Sequence, residues 1–252
     1  MGKEMSSELA SRILFCDESC VIVNKIAGEA VEGAGKGMAD LPKLLAAELS
    51  APNYPPAPAG DALPLPTAVH RLDVPVSGCA AFARTGAALR VLNAAFSGET
   101  VKKNYWAIVE PSENIAESAE GVELIHWIQF DPRRNKSIAH NEPGPGRKKA
   151  VLRCRQAGRG ERYLFLEIEL ITGRHHQIRA QLERLGLHIK GDLKYGARRS
   201  EPAGGIRLHA RSLSFPHPAN SDSVIIVQAE PPLRDNLWQA FEACTPAEIP
   251  PS

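Results

Sequence analysis

The sequence predicts an α+β fold in which helices flank a largely antiparallel or mixed sheet. Segments with strand-like, period-two hydrophobicity outnumber segments with helical spacing. Many neighbouring strand segments are separated only by short turns, which is typical of hairpins. Because 43% of the 252 residues are hydrophobic, the chain can bury a sizeable core as one large domain or two small ones.

The first quarter of the chain predicts a hairpin, a helix and a loop. Apolar runs at residues 13–15 and 21–23 flank an acidic turn, so we expect two paired strands there. Residues 40–49 predict a short helix with Asp40 as its N-cap, since their leucines share one helical face. Proline and alanine dominate residues 51–66, which we expect to form a surface loop.

A strand, a helix and a second strand are predicted next. The run CAAFAR at residues 79–84 suits a buried strand. Residues 85–99 have apolar side chains at helical spacing, with Gly98 as a stop signal. Period two returns at residues 101–110, where alternate residues, Tyr105 among them, share one face.

The central part of the chain predicts three more strands. Two of them are expected around residues 122–130 and 149–156, and a turn is expected at residues 157–160. The following segment, residues 161–173, alternates apolar residues with glutamates, which predicts one buried and one wet face.

The remaining sequence predicts helices around a hairpin. Residues 174–186 have helical spacing with Leu185 among the inward side chains, which places Arg174 at a strand-to-helix turn. Free backbone N–H groups and the helix dipole favour an anion at such a turn. The segments that complete the fold are a strand pair, residues 206–215 with 223–230, and a closing helix, residues 234–243.

Positive charge is concentrated in one stretch of the chain. The formal net charge is only +1, but residues 133–199 contain 17 Lys or Arg and 6 Asp or Glu. Such asymmetry can form a face that binds a polyanion. Charge alone leaves open the alternative that these residues decorate solvated hairpins.

Several classes of function lack their usual signatures. No apolar run is long enough to cross a membrane, and the first ten residues lack the apolar stretch of a secretory signal. Five scattered cysteines without a C-x-x-C pair argue against a disulfide framework and a zinc ribbon, and favour a reducing cytoplasm. Phosphate-loop and dinucleotide-binding glycine motifs are missing. The adjacent His175 and His176 are expected to point to different sides, so no metal site is predicted.

The stretch HRLDVPVSG, residues 70–78, groups several side chains that could act in catalysis. It places an imidazole, a guanidinium and a carboxylate within four residues and then turns at Pro75 and Gly78. No second carboxylate stands near Asp73 in the sequence. On local grounds Arg71 and Asp73 could be ordinary hydrogen-bonding groups at the end of a strand, so a structural and a catalytic role both remain open.

Five motifs in order along nearly the whole chain narrow these alternatives. The motifs are ILFCDESCVIVNKIAG (13–28), HRLDVPVSGCAAFARTGAA (70–88), VKKNYWAIV (101–109), LITGRHHQIRAQLERLGLHIKGDLKYG (170–196) and RLHARSLSFPHP (207–218). Together they resemble the RluA-type pseudouridine synthases, which isomerise uridine to pseudouridine in structured RNA. Three positions depart from the family pattern, since Ile26 stands where Pro is usual, and Val76 and His175 stand where Thr is common.

The resemblance implies the α+β pseudouridine synthase fold, with a central RNA-binding cleft and one catalytic domain over residues 1–252. Only about a dozen residues precede the first family strand, so we expect the small N-terminal RNA-binding domain of many members to be absent. The implied enzyme is a cytoplasmic RNA pseudouridine synthase that needs no metal or cofactor. Its expected partner is a stem-loop of rRNA or tRNA, and it is expected to act as a monomer away from membranes. The alternative is a catalytically silent RNA-binding or RNA-folding protein of the same fold.

The resemblance also assigns roles to individual residues. Asp73 is the expected catalytic nucleophile, Arg174 is expected to pair with it, and Tyr105 is expected to stack on the base and is a candidate for removing the proton from carbon 5. Arg71 is expected to help extrude the target uridine or to fill its vacated place. The other residues expected to bind the substrate RNA are His70, His176, Arg133, Arg134, Arg147, Lys148 and Lys149.

Overall fold

The structure is a computed structural model that describes residues 9–35, 38–98, 100–110 and 121–245. The chain divides into two units. Unit 1 contains the described residues of Met1–Lys103 and Ala210–Pro232, and unit 2 contains those of Asn104–His209 and Leu233–Ser252. Across the described part of the chain, every helix is too short or too polar to span a bilayer. A single catalytic domain over residues 1–252 stays a prediction.

Strands predominate over helices, as expected. The strands are β1 (Ile13–Cys16), β2 (Cys20–Lys25), β3 (Glu29–Ala30), β4 (Ala39–Asp40), β5 (Ala62–Ala68), β6 (Ser77–Thr85), β7 (Lys102–Glu110), β8 (Val122–Asp131), β9 (Lys136–His140), β10 (Lys148–Arg159), β11 (Leu164–Leu170), β12 (His188–Ile189), β13 (Leu208–His217) and β14 (Asn220–Gln228). The helices with described bounds are α1 (Leu41–Glu48), α2 (Gly86–Ser97), α3 (Gln177–Arg184) and α4 (Asn236–Cys244), and a short 3-10 turn covers Leu193–Tyr195.

Unit 1 is organised around β6, whose nine residues are all buried. Strand β6 pairs antiparallel with both β2 and β5, and β1 pairs antiparallel with β2. Strands β13 and β14 form the predicted hairpin, while the two-residue strands β3 and β4 pair in parallel. Helix α2 buries Ala88 and Leu92 in the same core as β6, which explains why the sequence of β6 is continuously apolar rather than alternating.

The predicted N-terminal hairpin and both helices of unit 1 are confirmed. Asp40 caps α1 by accepting a hydrogen bond from the backbone N–H of Lys43, and Thr85 caps α2 in the same way through Ala88. Gly98 ends α2 as predicted, but with φ −92°, so it does not use the left-handed conformation that favours glycine.

The predicted loop at residues 51–66 is wrong at its C-terminal end. Residues 62–66 belong to β5, although Pro64 and Pro66 lack the N–H group that a ladder requires. The pairing of β5 with β6 is irregular between Ala62 and Thr67, so the prolines occupy a stretch without regular ladder bonds. The proline content that signals a loop is here compatible with an irregularly paired strand.

Unit 2 contains a second antiparallel arrangement of strands. Its order is β12–β7–β11–β10–β8–β9, and each neighbouring pair in this order is antiparallel. Helix α4 packs Trp238 and Phe241 against Trp106 and Phe165. Because Phe165 stacks on Phe241, with ring centroids 5.3 Å apart, the face of β11 that was expected to be wet is partly buried.

Several predicted boundaries in unit 2 need correction. The turn expected at residues 157–160 begins later, because β10 continues to Arg159 through an irregularity beside Gly158. A Cβ atom on Gly158 would lie 2.5 Å from the Sγ of Cys244, so this glycine permits close packing rather than a turn. Strand β9 was not predicted. Leu185 is 37% exposed instead of facing inwards, and α3 begins at Gln177 because His176 adopts φ +50°.

Gly78 provides a direct test of the packing around β6. Its φ is +113°, and an added Cβ atom would lie 2.3 Å from the backbone oxygen of Ala210. We expect Gly78→Ala to lower the free energy of unfolding by about 3 kcal/mol, measured by urea denaturation. The matched control is Gly98→Ala, where φ is negative and the nearest atoms are 3.6 Å away, and its expected change is below about 1 kcal/mol. Similar denaturation midpoints for the two variants would contradict the steric explanation.

Candidate active site

The loop that carries Asp73 is fixed by a buried lysine. Lys25 is the last residue of β2, and its side chain is completely inaccessible to solvent. Its Nζ donates hydrogen bonds to the backbone oxygens of Ile26 (3.1 Å), Asp73 (3.3 Å), Val74 (3.1 Å) and Val76 (2.6 Å). Three of these four acceptors belong to the chain segment around Asp73, so one ammonium group holds the local course of that segment.

Further backbone bonds close the same loop. The N–H of Val76 donates to the oxygen of Asp73 (3.0 Å), and the N–H of Gly28 donates to the oxygen of Val74 (2.9 Å). Leu72 is only 6% exposed and belongs to the core. Asp73 is half-buried, and its position between Leu72 and the Lys25 contacts restricts its backbone.

His70 anchors the start of this loop rather than facing solvent. Its Nε2 accepts a hydrogen bond from the backbone N–H of Ala81 in β6, and its ring stacks on Phe96 with centroids 5.0 Å apart. Burial, assisted by the positive charge of Lys103, lowers the pKa of His70 to about 4. The imidazole is therefore neutral at pH 7, and these contacts attach the loop to the core of unit 1.

Arg71 lies on the outer side of the loop. Its side chain is 73% exposed, and its Nε lies 3.3 Å from the Oε1 of Glu32. An ion pair this exposed contributes little to stability. The guanidinium can therefore exchange Glu32 for a phosphate or a base at low cost.

Tyr105 lies in unit 2, in the middle of β7. It is opposite Ile168 of β11 in the antiparallel register and is 5% exposed. Period two places it on the same face as Ala107 and Val109, as predicted. Most of its ring is thus fixed by the sheet, and little of it is accessible to solvent.

Arg174, also in unit 2, occupies the predicted strand-to-helix turn. Its backbone N–H donates to the Oε1 of Gln177 (2.9 Å), and its side-chain Nε donates to the backbone oxygen of Lys149 (3.0 Å). Gln177 is buried and also bonds Thr172 and Val151 through its amide. The exposed Arg174 side chain is consequently mounted on a turn whose backbone is fixed by a buried amide.

The two histidines after Arg174 do not point to different sides as predicted. Their rings stack with centroids 3.8 Å apart, because the left-handed backbone of His176 brings neighbouring side chains together. His176 Nδ1 hydrogen-bonds to the hydroxyl of Tyr195 (2.9 Å), and His175 Nδ1 hydrogen-bonds to the Oγ of Ser137 (3.0 Å). Both imidazoles therefore have fixed orientations.

A buried ion pair supports this part of unit 2. Arg179 of α3 makes two hydrogen bonds of 2.6 and 2.8 Å to Asp192. The Arg179 guanidinium carbon also lies 4.7 Å from the ring centroid of Tyr195. Because Tyr195 contacts His176, the ion pair, the aromatic ring and the Arg174 turn form one connected polar network in the interior.

The remaining RNA-binding candidates lie on two turns of unit 2. Arg133 and Arg134 lie in the turn between β8 and β9, where Asp131 accepts hydrogen bonds from both backbone N–H groups. Arg147, Lys148 and Lys149 lie at the start of β10. Arg147 lines an open cavity of about 610 Å³, together with the charged residues Glu142, Glu183 and Arg184.

The structure brings some of the predicted residues together. Arg174 contacts Lys149, and its neighbour His176 belongs to the same polar network. Asp73, Arg71 and His70 share one loop of unit 1. Among the described residues, no cluster of His, Cys, Asp or Glu could hold a metal ion.

Sequence reasoning missed the part played by Lys25. It lies in the motif that opens the family resemblance, but a lysine after a strand ordinarily predicts a solvated end. Only its location between two buried backbone segments reveals its role.

Comparison with known proteins identifies the class. The sequence profile described as RNA pseudouridylate synthase matches residues 19–184. An uncharacterized RNA pseudouridine synthase of Zymomonas mobilis is 33% identical over 209 residues, which cover 82% of this chain and 88% of the relative. Ribosomal large subunit pseudouridine synthase D of Xylella fastidiosa is 32% identical over 245 residues, which cover 92% of this chain and 68% of the relative.

A solved structure agrees in fold. Human RNA pseudouridylate synthase domain containing 4 superposes with a TM-score of 0.70 at 20% identity, covering 96% of each chain. The protein is thus an RNA-modifying enzyme of the isomerase class, with the pseudouridine synthase α+β fold. It belongs to the RNA pseudouridylate synthase family, and the predicted resemblance is confirmed at this level.

The titration of Lys25 tests how strongly its environment is desolvated. Burial lowers its pKa from the ordinary value of 10.5 to about 8, although the negative charges of Glu29 and Asp73 oppose this change. We expect NMR titration of ¹³C-labelled lysine, assigned with Lys25→Arg, to show a midpoint near 8.

The same titration has a consequence for stability. The unfolded chain holds the Lys25 proton up to a higher pH than the folded chain does, so the Lys25 contribution to the free energy of unfolding rises as pH increases from 8 to 10.5. The buried cysteines act in the opposite direction above pH 9, since burial raises their pKa. The direct NMR measurement avoids this overlap, and a midpoint at 10.5 would contradict the assigned desolvation.

Proposed function

We propose that this protein isomerises specific uridines in structured rRNA or tRNA to pseudouridine, with Asp73 as the catalytic nucleophile. The observation that carries the proposal is the Lys25 arrangement, which fixes the backbone of a single half-buried carboxylate in a loop that matches the family motif. Membership of the family supports the reaction, and the named ribosomal relative supports a ribosomal substrate without excluding tRNA.

One carboxylate is sufficient for this chemistry. The bond between ribose carbon 1 and uracil nitrogen 1 breaks, and the base departs with the bonding electrons. It turns in place, and its carbon 5 then bonds to ribose carbon 1. A base then removes the proton from carbon 5, and nitrogen 1 takes up a proton, so the product is an isomer of the substrate. Because the uracil is not replaced by water, no second carboxylate is needed as the general base that activates a hydrolytic water, in contrast to an inverting glycosidase. Asp73 either attacks ribose carbon 1 or first removes the proton from ribose carbon 2.

Two residues of unit 2 complete the proposed chemistry. Tyr105 stacks on the uracil and is the candidate to accept the proton of carbon 5. Arg174 is the residue that the family resemblance assigns to pair with Asp73, and the buried Gln177 amide positions the turn that carries Arg174.

The basic residues supply the binding energy that base extrusion requires. Extruding a uridine costs a few kcal/mol of unstacking, and phosphate contacts by Arg133, Arg134, Arg147 and the Lys148–Lys149 pair offset that cost. The exposed Arg71 helps to extrude the base. His70 and His176 have ring nitrogens bonded inside their own units, so we assign them to positioning the Asp73 and Arg174 segments.

We place the reaction in the cytoplasm. All five cysteines are free thiols, of which Cys20, Cys79 and Cys154 are buried and Cys244 is exposed. Unpaired thiols are typical of a reducing compartment.

The proposed reaction is tested with RNA from a strain that lacks the enzyme. Incubation with wild-type protein is expected to create new pseudouridines, which carbodiimide treatment and primer extension would map. Asp73→Asn is expected to abolish the new stops, with a rate loss of at least about 10⁴-fold, because it removes the nucleophile without changing the side-chain size.

A matched control is Arg153→Gln. Arg153 is exposed and already paired with Glu123 and Glu169, so its loss should leave the modification pattern unchanged. If the wild-type protein produced no new pseudouridine, or if Asp73→Asn remained fully active, the proposed function would be wrong. An inactive wild-type protein that still bound RNA would favour the silent RNA-folding alternative.

A further inference from the structure

An exposed aromatic ring lies beside the Arg174 turn and has no part in the reaction described above. Phe130, near the end of β8, is 45% exposed. Ile128, two residues earlier on the same strand face, is 4% exposed and packs with Ala180 of α3. The helix therefore covers the face at Ile128, whereas much of the Phe130 ring remains accessible.

The ring of Phe130 is oriented by His175. Their centroids are 4.4 Å apart at an interplanar angle of 61°. His175 in turn stacks on His176 and hydrogen-bonds to Ser137, the residue opposite Phe130 in the β8–β9 register. Phe130 and His175 together are named the aromatic platform. Because each contact limits the rotation of the rings, the platform is rigid before any ligand binds.

The charge around the platform indicates its ligand. Arg133 and Arg134 follow Phe130 in the same hairpin, and Arg174 immediately precedes His175. All three side chains are exposed. An exposed aromatic ring among cations suits single-stranded nucleic acid, because bases stack on the ring while phosphates contact the cations. A protein partner that binds through apolar contacts would instead favour apolar residues around the ring.

We propose that the aromatic platform stacks an unpaired nucleobase of the substrate RNA. The proposal rests on the proposed function for the identity of the RNA, but its stacking chemistry is independent of catalysis. His175 supplies one of the two rings, at a position where Thr, which has no ring, is common in the family. The platform would hold that base unstacked from its neighbours in the RNA.

The test separates aromatic stacking from apolar packing. Phe130→Trp keeps a stacking ring, whereas Phe130→Leu keeps an apolar side chain of similar volume without one. The probe is a fluorescein-labelled oligouridylate, compared with a strand of equal length whose bases are removed. Anisotropy would measure both affinities at low and at high salt, with circular dichroism to verify folding.

The platform predicts a defined pattern of affinities. Phe130→Trp should retain wild-type affinity, and Phe130→Leu should bind oligouridylate about 5- to 100-fold more weakly, by a factor that salt hardly changes. His175→Thr should weaken binding in the same salt-independent way. Arg134→Gln should lose affinity for both strands at low salt only, because its contribution is electrostatic. Val224→Ala, an apolar change in β14 at a residue that is 58% exposed, should have no effect.

Three results would overturn the platform. The first is an equal affinity of Phe130→Leu and Phe130→Trp for oligouridylate. The second is a loss of affinity in Phe130→Leu that is equally large on the strand without bases. The third is an absence of wild-type binding to either strand. Unchanged RNA binding by all the variants would likewise overturn the platform, and it would leave a protein partner as the ligand of this surface. If the wild-type protein makes no pseudouridine but the affinities follow the expected pattern, the proposed function fails and the platform stands.

Discussion

The proposed catalytic loop depends on the burial of one ammonium group. Removing a lysine from water costs several kcal/mol unless hydrogen bonds replace its hydration. Lys25 recovers part of that cost from four backbone oxygens, three of them between Asp73 and Val76, and the remaining desolvation lowers its pKa. If the loop moved away, the Lys25 ammonium would lose the hydrogen bonds that replace its hydration. The desolvation of Lys25 therefore keeps the segment that carries Asp73 in one conformation.

The backbone around Arg174 is fixed in a similar way, but by the neutral side chain of Gln177. Gln177 uses its carbonyl oxygen for the N–H of Arg174 and for Thr172, and its amide nitrogen for Val151. A buried network of this kind specifies one conformation because every unsatisfied member would be penalised. The exposed side chains of Arg71 and Arg174, both assigned to the proposed site, thus stand on backbones fixed from the interior, which leaves the side chains themselves able to change their contacts.

Sequence periodicity was sufficient for the parts of the fold where burial follows a regular pattern. The continuous apolar run of β6 and the capped helix α2 are found as predicted, because local propensity and tertiary packing agree there. Sequence patterns gave wrong predictions at β5 and at Gly158. The prolines of β5 lie in an irregularly paired strand, and Gly158 permits close packing, so neither marks a turn. The left-handed backbone of His176 shortened α3 and stacked the histidines, and no local pattern in the sequence marks a non-glycine residue for that conformation. For the site, motif resemblance selected Asp73, Tyr105 and Arg174, but it could not show that His70 is enclosed or that Lys25 is the support.

The hydrogen bonds between the Asp73 loop and β6 also affect the local unfolding of unit 1. The N–H of Val69 donates to the oxygen of Ala81, and His70 accepts from the N–H of Ala81. Functional loops commonly belong to the least protected regions in amide hydrogen exchange. Here the loop is bonded to a strand whose nine residues are all buried, so its amides should exchange with the slow, global opening of that strand. The Asp73 loop would then keep its conformation through local fluctuations and lose it only when unit 1 unfolds as a whole.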